Sequence, residues 1–126
     1  MRKTFIETTA FSAMVTEKLP DEGLNALQLE LLSDPNKGEV LPGCGGLRKL
    51  RTPDPKRGKG KRGGARVIYL HIPEAGVIYL LDLYGKDEKD DLASREKSML
   101  KELSEQLKIE AIRKAKRKKR ARGTTS

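Results

Sequence analysis

The stretch 45–69, GGLRKLRTPDPKRGKGKRGGARVIY, most constrains what this chain can fold into. Its two ends read as strands. LRKLR alternates apolar and basic residues, and ARVIYLHI, running on to residue 72, is rich in β-branched and aromatic ones. Between them Pro53, Pro55, Gly58, Gly60, Gly63 and Gly64 break any helix or strand. A strand pair therefore presents a flexible loop, and that loop is basic. The stretch carries nine Lys or Arg (Arg48, Lys49, Arg51, Lys56, Arg57, Lys59, Lys61, Arg62, Arg66) against one acid, Asp54. A fold that gathers positive charge in this way, against self-repulsion, suits a polyanionic partner.

The rest of the chain bounds the reading. A length of 126 residues is one domain's worth, and 36% hydrophobic residues with no Trp allow one modest core. A chain this size buries roughly two-thirds of its unfolded surface. The net charge of +9 points to nucleic acid or an acidic protein; the bland alternative is charge for solubility alone. Cys44, the only cysteine, excludes an intramolecular disulfide and a thiolate zinc cluster. It sits in a Gly-rich turn and reads as a small filler. With no secretory signal and no apolar run near ~18 residues, the cytoplasm is the expected location.

Before the basic stretch, residues 5–8 read as a short strand and 11–19 as a helix with Phe11, Met14 and Val15 on one side. Pro20 and Asp21 break it, and Asp21 is placed to cap a second helix whose Leu24, Leu27, Leu31 and Leu32 form a stripe. Two helices joined by a tight break make a helical hairpin. A turn-rich segment around Pro42–Gly46 then leads into the first central strand. Residues 66–72 and 77–83 pair across Pro73, Glu74, Ala75 and Gly76 as a β-hairpin, and the nearly continuous apolar run 77–81 marks a central strand. After a charged connection at 85–91, Ser94 is a good N-cap. Met99, Leu100, Leu103 and Leu107, with Ile109 and Ile112, line one face of a last helix. Residues 113–122 carry eight basic residues and no acid, which favours a frayed or disordered block over the alternative, a continuation of the last helix. The expected architecture is α+β: a small antiparallel sheet with an N-terminal helical hairpin and a C-terminal helix. Residues 1–112 form the domain and 113–126 a basic, flexible tail.

Cleavage of RNA by its own 2′-OH needs a base, cations for the charged phosphorane and an acid for the leaving 5′ oxygen. The chain has one His and no carboxylate among its basic strands, so Lys, Arg and Tyr must do this work. A Lys becomes a base when burial and neighbouring cations favour its neutral amine. Arg48, Arg51, Lys59, Lys61, Arg66 and Lys86 supply that crowding. Strand alternation puts Arg66, Ile68, Leu70 and Ile72 on one face, and Lys49 shares a face with Arg51. In an antiparallel hairpin the start of one strand lies beside the end of the next. Arg66 should therefore meet Tyr84 and Lys86. The plain alternatives are a sheet-edge Tyr84, a solvated Lys86, and an Arg66 paired with Asp87 or Glu88. Lys59 and Lys61 serve as well for phosphate anchoring as for catalysis, and His71 belongs to the sheet.

Three ordered segments, GCGGLRKLR, GKRGGARVIYL and LLDLYGKDEKDDL, resemble the RelE/ParE superfamily of toxins from toxin–antitoxin pairs, and its HigB branch in particular. The likeness runs from about residue 5 to about residue 107. It implies a RelE-like fold with the first strand added to the sheet, and a ribosome-dependent mRNA endoribonuclease that needs no cofactor or metal. It implies partners too: mRNA, the ribosome, and an antitoxin with a helix-turn-helix DNA-binding part. By the same resemblance Arg66 and Lys86 are catalytic, with Tyr84 and Lys61 beside them, while the basic cluster itself supplies the expected substrate-binding residues, Arg48, Lys49, Arg51, Lys59 and Arg62. The chain departs from RelE itself at Asp87, where RelE has an arginine, and at Ala93, where it has a tyrosine. Tyr84 and Lys86 are placed to take over those roles, and the identity of base and acid stays open. Two other functions fit the same residues: a non-catalytic nucleic-acid or ribosome-binding module, and a ParE-like gyrase inhibitor.

Overall fold

The computed structural model describes residues 3–19, 21–53, 64–85 and 92–124, with side chains as far as residue 121. Strand β1 (Thr4–Glu7) is followed at once by helix α1 (Thr9–Lys18). Thr8 makes that start possible: its extended backbone ends the strand, and its Oγ1 accepts from the Phe11 N–H at 3.2 Å, filling a donor the first turn cannot. Helix α2 (Asp21–Ser33) opens with Asp21 and Glu22, which suit the positive end of the helix dipole. Then come β2 (Glu39–Val40), β3 (Arg48–Thr52), β4 (Ala65–Ile72), a 3₁₀ turn (Pro73–Ala75), β5 (Val77–Gly85) and α3 (Ser94–Thr124). Gly76, at φ 63°, closes the β4–β5 turn in the left-handed region that glycine enters without strain.

The sheet has the order β1-β5-β4-β3-β2, with β1 parallel to β5 and the other pairs antiparallel. This is the expected α+β architecture with two changes. The two-residue β2, just ahead of the expected turn, adds a strand, and the first strand pairs parallel to β5 rather than antiparallel.

Two apolar layers cover the sheet. On one side Phe11, Leu27 and Leu31 of the helical hairpin pack on Leu50, Val67, Tyr69, Ile78, Leu80 and Leu83. On the other, α3 covers Ile68, Leu70, Ile72, Tyr79, Leu81 and Tyr84. Burying each of the larger side chains stabilises the fold by about 1.5–3 kcal/mol. Tyr69 also braces the β2 side: its hydroxyl donates to Pro35 O at 2.8 Å and accepts from the Gly38 N–H at 2.9 Å. Burial, the largest influence on it, raises the Tyr69 pKa and keeps that hydroxyl a donor.

Four expectations need correction. Leu32 does not join the α2 stripe but is exposed. On α3, Met99, Leu103 and Ile109 are exposed as well, and the docked face runs through half-buried Leu100 and Leu107 with buried Ser104 and Ala111. Counting large apolar residues missed this face because its closest contacts are small. Third, α3 does not stop near 112; it runs unbroken to Thr124, so the expected boundary falls inside a helix. Ala, Lys and Arg are good helix formers, and the Lys114–Glu110 ion pair at 3.5 Å spans the boundary at i,i+4 spacing. Ser94 is the first helical residue rather than the cap. Glu96 Oε1 accepts from the Ala93 N–H one position earlier, at 3.2 Å.

Candidate functional site

Strand pairing lines up three of the expected residues. Arg51 on β3 lies directly across from Arg66 on β4, and Arg66 directly across from Tyr84 on β5. Residues opposite one another in an antiparallel ladder project to the same face, here the face that carries α3. Lys49, two residues before Arg51, shares it. Lys49 has Glu39 as its neighbour on β2, while Arg51 lies beyond the β2 pairing.

The row depends on a β-bulge. From the turn, Ile72 pairs with Val77 and Tyr69 with Leu80, but Ile68 pairs with Asp82, so Leu81 is an extra residue on β5. Without it Arg66 would face Leu83, and Tyr84 would point into the layer beneath α1. With it Leu83 joins that layer and Tyr84 turns to the α3 side. Thr8 holds the bulge: its N–H donates to Leu80 O at 3.0 Å and its Oγ1 to Leu81 O at 2.6 Å. One hydroxyl thus caps α1 and pins the irregularity that orients Tyr84. Sequence reading missed Thr8, although its place before a helix marks it as a cap. Thr8→Val, which keeps the shape and loses the hydroxyl, is expected to cost about 0.5–2 kcal/mol of stability. It should lower activity at the Arg66 site as well. Thermal unfolding and an activity assay check both; unchanged values would remove Thr8 from this role.

Burial differs along the row. Arg51 is exposed and Lys49 half-buried, whereas Arg66 is 3% and Tyr84 2% exposed. Arg66 Nη1 donates to Gly64 O at 2.6 Å, which fixes the guanidinium at the start of its strand. A buried guanidinium stays charged, and its field is weakly screened by water. Two arginines directly opposed in a ladder repel each other, and an anion between them turns that cost into attraction.

The structure does not bring Arg48 to this group. It projects to the opposite face, and its Nη1 donates to Asn36 O at 3.0 Å and Gly38 O at 2.7 Å, tying down the approach to β2. Lys59, Lys61, Arg62 and Lys86 lie outside the described residues. His71 belongs to the sheet, near the far end of β4 from Arg66. Its Nε2 lies 2.9 Å from Lys3 Nζ, and burial first, then Lys3, lowers its pKa, so it is a neutral acceptor at pH 7. Cys44 is buried among the α3-side residues, with its thiol 3.6 Å from Pro42 O. Among the described residues no three of His, Cys, Asp and Glu are grouped to hold a metal, and no helix is long and apolar enough to cross a membrane.

No protein-family profile matches the chain. Among solved structures it is similar to a double arginine-to-alanine mutant of the E. coli toxin RelE in the free state. The TM-score is 0.52 and the identity 16%, over 71% of this chain and 90% of that one. At that identity the likeness shows the fold, which is RelE-like.

Proposed function

We propose that the chain is a toxin of a type II toxin–antitoxin system, of the HigB-like branch, that inhibits translation by cutting ribosome-bound mRNA. The observation that carries this reading is the Arg51–Arg66–Tyr84 row on one face of a RelE-like sheet. Attack of a 2′-OH on its own phosphodiester puts extra negative charge on the phosphorane oxygens. Arg66, held rigidly, and Arg51, open to solvent, stabilise that charge with no reorganisation at the moment of reaction. Tyr84, buried beside Arg66, carries a proton between oxygens in this reading rather than stacking on a base. Lys86 and Lys61, assigned through the family resemblance, complete the acid–base set, with Lys49, Lys59 and Arg62 on the substrate backbone. The products are a 2′,3′-cyclic phosphate and a free 5′ hydroxyl. The protein acts in the cytoplasm and is held in check by an antitoxin with a helix-turn-helix part.

The burial of Arg66 favours a second reading, a nucleic-acid or ribosome-binding module in which that arginine is structural. One experiment separates the two: brief expression in a translating extract, with new 5′ ends mapped on mRNA with and without ribosomes. New ends that need ribosomes support the toxin; ribosome binding without new ends supports the module. Cleavage is also expected to persist in EDTA when ribosomes are kept intact by other means. Strict dependence on an added divalent ion, shown on isolated RNA, would overturn a mechanism built on Lys, Arg and Tyr.

A further inference from the structure

We propose that the C-terminal part of α3 is a second anion-binding surface, which grips the phosphate backbone of a double-stranded RNA stem away from the Arg66 site. That the nucleic acid is RNA rests on the function proposed above; the surface itself does not.

The helix keeps its docking contacts as far as buried Ala111 and half-buried Ile112. Beyond them Arg113, Lys114 and every residue from 116 to 121 are exposed. Glu110, the last acid of the chain, is already paired with Lys114. Arg113, Lys116, Arg117 and Arg120 stand at i, i+3, i+4 and i+7, and together they line one shallow groove on the helix. Lys114, Lys118 and Lys119 lie on another side, where they and Ala115 wall a groove of about 600 Å³ against β1 and Tyr79.

Charge density selects the partner. Eight basic residues in the ten from 113 to 122, at ~1.5 Å rise per residue, give one positive charge per roughly 1.9 Å of helix. Duplex nucleic acid carries one negative charge per ~1.7 Å of axis, and each of its strands one per ~3.4 Å. An extended acidic peptide carries at most one per ~3.3 Å. Of these three the duplex comes closest to the arm. Like charges at i,i+4, such as Arg113 with Arg117 and Lys116 with Arg120, also destabilise a free helix, and a bound polyanion removes that penalty.

Placement makes the surface separate. The groove beside β1 includes Ala75 and Val77, at the β4–β5 turn, whereas Arg66 stands at the start of β4. At ~3.3 Å per residue the two lie about 20 Å apart along the strand. One RNA-rich particle can engage both, and the second contact then gains from the high effective concentration set by the first.

The test is fluorescence anisotropy with the full chain across a salt series from about 50 to 200 mM, using a ~16-bp RNA duplex, the same sequence as DNA duplex, a single strand, and a Glu-rich peptide. The variant is Arg113→Gln, Lys116→Gln, Arg117→Gln and Arg120→Gln together; the control, at the other end of the helix, is Arg95→Gln with Lys101→Gln. The fourfold variant should lose about tenfold or more in duplex affinity, and its log–log salt slope should become shallower by up to about 3.6, near 0.9 per lost phosphate contact. The control should bind like the parent, and because the readout is binding alone the result stays distinct from any failure of cleavage. Comparable losses on RNA and DNA duplexes support backbone recognition. Equal affinities with parallel salt lines, or tighter binding of the Glu-rich peptide than of the duplex, would overturn it.

Discussion

Arg66→Ala is expected to abolish mRNA cleavage and growth inhibition while the chain still folds. Arg66 stands at the start of β4, opposed by Arg51 on one side and Tyr84 on the other, with its Nη1 anchored on Gly64 O. A preorganised donor of this kind aimed at a developing oxyanion supplies about 2.7–4 kcal/mol, so its loss lowers the rate about 10²–10³-fold. Removing a buried guanidinium also leaves Gly64 O without this donor, at a cost of about 1–3 kcal/mol in stability. Thermal unfolding must therefore accompany the cleavage assay. Arg66→Lys keeps the charge and loses the planar fork, and should retain stability better than activity. A folded Arg66→Ala chain that cuts at the parental rate would remove Arg66 from the chemistry.

How far this site could be read from the sequence depends on the residue. Arg66 and Tyr84 were legible because the Pro73–Gly76 turn fixes the hairpin and alternation fixes the faces. Counted without interruption, though, that register places Tyr84 on the wrong face. The bulge at Leu81 corrects it, and nothing in LLDLY distinguishes a bulged strand from a regular one, because both faces of β5 are apolar. Alternation on β3 already sets Arg48 on the opposite face from Arg51; what the sequence does not show is that the backbone carbonyls of the β2 approach take its guanidinium. Strand β2, only two residues long, is held by pairing rather than by propensity. The length of α3 was missed for another reason: a run of like charge argues against order in an isolated segment, while a helix already nucleated and docked upstream extends at little cost.

That docking rests on a contact between the turn before β3 and the middle of α3. Gly45 has φ 69°, and a Cβ there would fall inside the van der Waals radius of Ser104 Oγ. Ser104 is fully buried; its hydroxyl donates to Lys101 O at 2.7 Å, with Cys44 O at 3.3 Å sharing the same proton, and Lys108 Nζ donates to Gly45 O. Gly45→Ala is therefore expected to destabilise by about 2–5 kcal/mol: about 1–2 for the left-handed backbone and about 1–3 for overpacking. Ser104→Ala alone loses one hydroxyl donor shared between two carbonyls and should cost about 1–3 kcal/mol. The double variant should be less unstable than the sum. With the hydroxyl gone, the new Cβ meets the Ser104 Cβ position at 3.6 Å and Lys101 O at 3.7 Å, both ordinary contacts, and the backbone strain remains. Urea unfolding of the four chains measures this coupling, expected at about 1–3 kcal/mol. Effects that add to within about 0.5 kcal/mol would mean the turn and the helix do not meet here. The same cycle links fold to function. Because α3 covers the face that carries Arg66 and Tyr84 and continues into the basic arm, Gly45→Ala should loosen both anion-binding surfaces together, and Ser104→Ala should restore both in part.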